Sequence, residues 1–188
     1  MHQFSFQTYR NINIKFNRTT NLTDVDVPAY AGDTAIIFQI KAKKLTLLSR
    51  KGDLNAIKSD FKKAVHVAKD QADNCIAALR DAENYIFELD NGETFVPKQV
   101  SNYETVIILL HQYPAISHQT HILFGDELET TPIALTIFDL ETTPKFLETP
   151  ERFADCIHRR TLYSKQYRDA NELQYLAHYL DRGMEKPK

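Results

Sequence analysis

"AIIFQIKAKKLT", residues 35–46, passes from an unbroken apolar run into a cluster of lysines. Alternate side chains of a strand share a face. Ile36, Phe38, Ile40 and Ala42 therefore look one way, and Ile37, Gln39, Lys41 and Lys43 the other. The run opens apolar on both faces, as a strand covered on both sides does. It closes in a polar ladder on one face only. A ladder of this kind either surfaces into solvent or lines a site.

Upstream, "LTDVDVPAY" alternates again, with Leu22, Asp24 and Asp26 on one face and Val25 and Val27 on the other. "AGD" then turns the chain, and Asp33 is read as serving that turn. Residues 22–42 are expected to form a β-hairpin or two neighbouring strands. "QFSFQTY" and "NINIKF" carry the same period and read as strands, with "RTTN" as a turn. Downstream, Leu54, Ile57, Phe61, Ala64, Val65, Ala68, Ala72, Cys75, Ile76 and Leu79 recur every three or four residues. That spacing predicts one long amphipathic helix, with Asp53 after Gly52 as its N-cap. "YIFELDNGETFVP" is a hairpin candidate, because Asn91-Gly92 suits the positive φ of a tight turn.

"ETVIILLHQ" and "TPIALTIFDL" read as buried strands from their apolar runs, Pro150 as a helix start, and Arg152 to Tyr167 as helical. "DANELQYLAHYLDRG" closes as an amphipathic helix ending at Gly183. This order predicts an α/β fold: a mixed central sheet with a long crossover helix, plus C-terminal helices. The expected division is a core over 1–145 and a helical appendage over 146–188.

Composition narrows the classes. The 188 residues include 11 Phe and 9 Tyr and are 43% apolar, enough for a sizeable core, while 5 Gly and 7 Pro argue against low complexity. A formal net charge of −2 gives no global pull toward nucleic acid, so any such binding must come from a local basic patch. No apolar run reaches the roughly 18 residues of a membrane helix, and "MHQFSFQTYRN" has no signal-peptide pattern. A cytoplasmic protein is expected. Cys75 and Cys156 match no metal-ligand spacing and are read as reduced core residues. His111, His118 and His121 in "HQYPAISHQTH" are read as ordinary loop histidines.

Asp24, then Gln39-x-Lys41, then a basic stretch and a long helix together resemble the PD-(D/E)XK nuclease superfamily, in its nuclease-related branch with Gln-x-Lys. The resemblance covers residues 12 to about 80 and, more loosely, the strand order to 140. It implies a restriction-endonuclease-like core in which Asp24, Gln39 and Lys41 are catalytic. It implies that Asp24, Gln39 and the second candidate Asp26 hold Mg²⁺ or Mn²⁺, with the backbone carbonyl of Ile40 completing the shell. Lys41 would orient the attacking water or stabilise developing charge. Lys43, Lys44, Arg50 and Lys51 would meet phosphates, and Gln71 on the long helix would face the site. The family core normally opens with a helix that carries a Glu toward the metal. Residues 1–21 contain no acidic residue, a departure from that pattern.

The chemistry fits these residue types. Phosphodiester hydrolysis spreads negative charge over the phosphoryl group, and a hard cation prefers oxygen ligands. The implied activity is a metal-dependent DNA endonuclease domain, as part of a larger protein or an oligomeric assembly. The alternative is a catalytically inactive module of the same fold that binds nucleic acid or a protein.

Overall fold

A computed structural model describes residues 5–16, 19–42, 44–111, 120, 131–167 and 171–184. Their architecture is mixed α/β, built on two sheets. The central sheet has the order β1-β4-β5-β8-β9 and combines β1 (Gln7–Thr8), β4 (Val27–Ala31), β5 (Thr34–Lys41), β8 (Asn102–Leu109) and β9 (Ile133–Thr136). β4 runs antiparallel to β5, whereas β8 and β9 run parallel to it. The second sheet has the order β3-β2-β6-β7, from β2 (Ile12–Lys15), β3 (Asn21–Val25), β6 (Ile86–Glu88) and β7 (Thr94–Phe95).

β5 is the apolar stretch from which the sequence reading began. It lies mid-sheet between β4 and β8, which is why both its faces are apolar over residues 35–38. The helix α2 (Leu54–Arg80) follows a short turn of helix, α1 (Leu47–Arg50), and carries the chain from β5 toward its parallel neighbour β8. At 27 residues it is about 40 Å long. Asp53 caps it by accepting from the Ala56 N–H at 2.8 Å.

The period-2 alternation sorts side chains onto two faces. Ile36, Phe38, Val106, Ile108, Ile133 and Leu135 pack with the C-terminal helices α3 (Ile137–Leu147), α4 (Pro150–Leu162) and α5 (Glu172–Arg182). Ala35 and Ile37 pack with Ala72, Cys75 and Leu79 of α2, and with Ile14, Val25 and Phe87 of the second sheet. Further along α2, Phe61, Val65 and Ala68 cover Ile107, Leu109 and Ala134. Among the described residues, no helix is long and apolar enough to cross a membrane.

Three local expectations need correction. The hairpin expected over 22–42 spans only β4 and β5, turning at Gly32 with φ +56°. β3 leaves at Asp26 to pair with β2 in the second sheet. One alternating run therefore serves two sheets, a choice set by tertiary packing that the local period cannot register. "TPIALTIFDL" is a strand only to Thr136, where a capping box with Asp139 starts α3. α4 ends at Leu162, short of Tyr167.

Candidate functional site

The site forms where β5 runs out of core. Gln39 is fully buried, at 0% exposure, while Lys41 two residues on is half-buried. Both sit on the α2 face, continuing the row of Ala35 and Ile37. Gln71 on α2 meets them there. Its Oε1 accepts a hydrogen bond from Lys41 Nζ. Its Nε2 donates to Asp24 Oδ1 at 2.9 Å. One amide thus joins a cation and an anion from separate elements, with its donor end toward the carboxylate and its acceptor end toward the ammonium. The bridge keeps Asp24 and Lys41 apart rather than letting them neutralise each other directly, so both charges remain for an external group.

The sequence reading put Asp24 and Lys41 on a β-hairpin or on two neighbouring strands. Asp24 instead lies on β3 of the second sheet and connects to Lys41 through Gln71. Gln39 Nε2 donates to the backbone carbonyl of Asp24 at 3.2 Å. Thr23, buried beside it, shares its one hydroxyl proton between the carbonyls of Asp24 and Gln71, at 3.3 and 3.4 Å. These contacts dock the corner of the second sheet onto α2. Asp26 seals that corner: its carboxylate accepts the Ile40 N–H at 2.6 Å, and its carbonyl accepts the Asn11 N–H at 2.8 Å. Asp26 is therefore already engaged in holding β5 and the β2 end of the second sheet together.

Gln39 Oε1 is buried and has no hydrogen-bond partner among the described residues. A buried amide oxygen left without a donor costs about 1–3 kcal/mol. A cation or a donor from a ligand would remove that cost. Every candidate ligand atom here is an oxygen, as a hard cation prefers. Among the described residues, no group of three or more His, Cys, Asp or Glu is placed to hold a metal ion. A cation at this site would thus rest on Asp24 and Gln39 and draw its remaining ligands from water or substrate.

The other named residues lie elsewhere. Lys43, His118 and His121 fall outside the described residues. Lys44, Arg50 and Lys51 are exposed around α1. α1 is held near the start of α2 by Asp60, eleven residues before Gln71 and so about 16 Å from it along the helix. Burial raises both thiols, Cys75 and Cys156, to about 12, which keeps them protonated and inert.

Thr23 was missed as a support of the site, and Asp60 as the anchor of α1. Asp60 is 5% exposed and accepts from the Thr46 N–H at 2.8 Å and the Ser49 hydroxyl at 2.7 Å. Its signal was present in the sequence, because a carboxylate falls in the apolar stripe between Ile57 and Ala64. A groove of about 600 Å³ opens at the start of β8, lined by Arg80, Tyr103, Glu104 and His158 among others. It is not lined by Asp24 or Lys41. Glu104 pairs in register with Ile36, five residues before the Lys41 end of β5. No family model matches the chain, and neither a curated protein nor a solved structure does.

Proposed function

We propose that Asp24, Gln39, Lys41 and Gln71 form a phosphodiester-hydrolysing site, making this chain a cation-assisted DNA endonuclease domain with a restriction-endonuclease-like core. The observation that carries the reading is the Asp24–Gln71–Lys41 bridge at the end of a mid-sheet strand, beside the buried, unpartnered oxygen of Gln39. The topology supports the core: an antiparallel β4–β5 hairpin, a long helix, then a parallel β8.

In this reading Lys41 points its ammonium at a phosphoryl oxygen and stabilises the negative charge that grows there. Asp24, exposed at the rim, orients the attacking water and takes its proton. Gln71 fixes the separation of the two. Mg²⁺ or Mn²⁺, held by Asp24 and Gln39, would supply Lewis-acid polarisation of the phosphate. Lys44, Arg50 and Lys51 take flanking phosphates.

A second reading has its own observation. Asp26 is committed to the Ile40 N–H, and among the described residues no cluster of metal-ligating side chains stands ready. That favours an inactive module of the same fold that binds nucleic acid or a protein. Supercoiled plasmid incubated with Mg²⁺ or Mn²⁺ separates the two. Nicking by the wild type that falls about 100-fold or more in Asp24→Ala and Lys41→Ala supports the enzyme. No nicking at any cation concentration selects the inactive module, and equal nicking by all three proteins removes the site from the reaction.

A further inference from the structure

α1 turns the usual polarity of a helical turn inside out. Its serine is buried and its leucines are not: Ser49 is 3% exposed, whereas Leu47 and Leu48 are 74% and 62% exposed. Leu54, at the start of α2, adds a third leucine at 68%. Polar bonds impose this arrangement. The buried Asp60 carboxylate takes the Thr46 N–H and the Ser49 hydroxyl, and Thr46 caps the turn at Ser49 N. Gly52, at φ +89°, then returns the chain so that the Asp53 N–H reaches the Leu48 carbonyl. The leucines are held outward on a fixed scaffold. Lys44, Arg50, Lys51 and Lys58 are exposed around them, and the exposed acid of this stretch, Asp53, is occupied as the cap of α2.

We propose that α1 is a nucleic-acid contact in which Leu47 and Leu48 pack on unstacked bases while Lys44, Arg50 and Lys51 take the adjoining phosphates. The proposal rests on the nucleic-acid reading of the Asp24–Lys41 site and adds the form of the substrate. The cationic rim selects a polyanion. Leucine gains only by covering apolar surface, and in a nucleic acid that surface is the face of a base. Stacking hides those faces within a duplex, so the leucines favour a single strand or an opened duplex. About 16 Å along α2 separates Asp60, which anchors α1, from Gln71 at the proposed site, so one strand can meet both.

Anisotropy of labelled oligonucleotides tests this with three ligands: a single strand, its duplex, and the duplex with a central unpaired bubble. The proteins are the wild type, a Leu47→Ser/Leu48→Ser variant, and a Lys44→Glu/Arg50→Glu/Lys51→Glu variant. The leucines are solvent-facing, so their loss leaves the melting temperature unchanged. The expected result is about tenfold weaker binding of single strand and bubble by the leucine variant, with duplex binding and salt slope unchanged. The charge variant should weaken all three. Full-strength binding of every oligonucleotide by the leucine variant, with the charge variant impaired, would overturn the base contact and leave the nucleic-acid reading standing. No binding by the wild type would overturn both. Leucine-dependent binding to phosphatidylglycerol vesicles without oligonucleotide binding would assign the patch to a membrane surface and overturn the proposal.

Discussion

On one face of the central sheet, Ile36, Phe38, Val106 and Leu135 disappear beneath the C-terminal helices; on the other, β5 leaves the core as Gln39 and Lys41 and meets α2 at Gln71. Each face carries a polar cluster. Beneath the C-terminal helices, Arg160 and Glu172 pair at 3.4 Å with side-chain exposures of 3% and 7%, and the guanidinium lies 3.3 Å from the centre of the Tyr175 ring. That pair is almost wholly buried, and it links α4 to α5. The Asp24–Gln71–Lys41 cluster is partly open, and its charges are separated by an amide. Burial of charge is thus a poor guide to chemistry here. Access and charges held apart by an amide set the Asp24–Gln71–Lys41 cluster off from the buried pair.

The same substitution in both clusters sharpens the contrast. Arg160→Met takes away the cation paired with a buried carboxylate and should cost about 3–5 kcal/mol in a denaturant titration. Lys41→Met should cost about 1 kcal/mol or less, because Lys41 is half-buried and water can replace its bond to Gln71. Equal losses would erase the distinction between a structural and a functional cluster.

A smaller effect compares the cores below the two clusters. Cys156 sits under the C-terminal helices and Cys75 under α2, and burial raises each thiol from an ordinary 9.0 to about 12. A raised thiol value stabilises nothing further as pH climbs. The unfolded chain loses its proton first, so stability is full below about pH 8 and declines from about pH 9 toward 12. Between pH 8 and pH 10 the loss is about 1 kcal/mol per thiol. Stability curves of Cys75→Ala and Cys156→Ala should each flatten by a similar amount. A flattening confined to Cys156→Ala would show that water reaches the α2 face as deep as Cys75.

How far the sequence carried differs between the two faces. The period-2 pattern of residues 35–41 placed Gln39 and Lys41 together, and the α2 stripe with its Asp53 cap was legible end to end. Asn91-Gly92 turned where expected, with Gly92 at φ +82°. The corner at Asp26 was not legible, because an alternating strand looks the same whether it continues in one sheet or crosses to another. α1 was not legible because four residues carry no period. Gln71 entered through the family resemblance, but its two bonds join residues 30 and 47 positions away and follow only once both sheets are packed.

Asp24, Gln71 and Lys41 are proposed to act as one unit in cleaving a phosphodiester, and a double-mutant cycle under single-turnover conditions distinguishes a unit from separate contributions. Gln71→Leu, Lys41→Ala and their combination would be assayed on one bubble-containing DNA with Mn²⁺. If Gln71 acts by fixing Lys41 at its distance from Asp24, Lys41→Ala should cost about 100-fold or more, and adding Gln71→Leu should cost little further. Losses that multiply would show two independent contributions and contradict the bridge as the working element. Undiminished cleavage by Lys41→Ala would contradict the site itself.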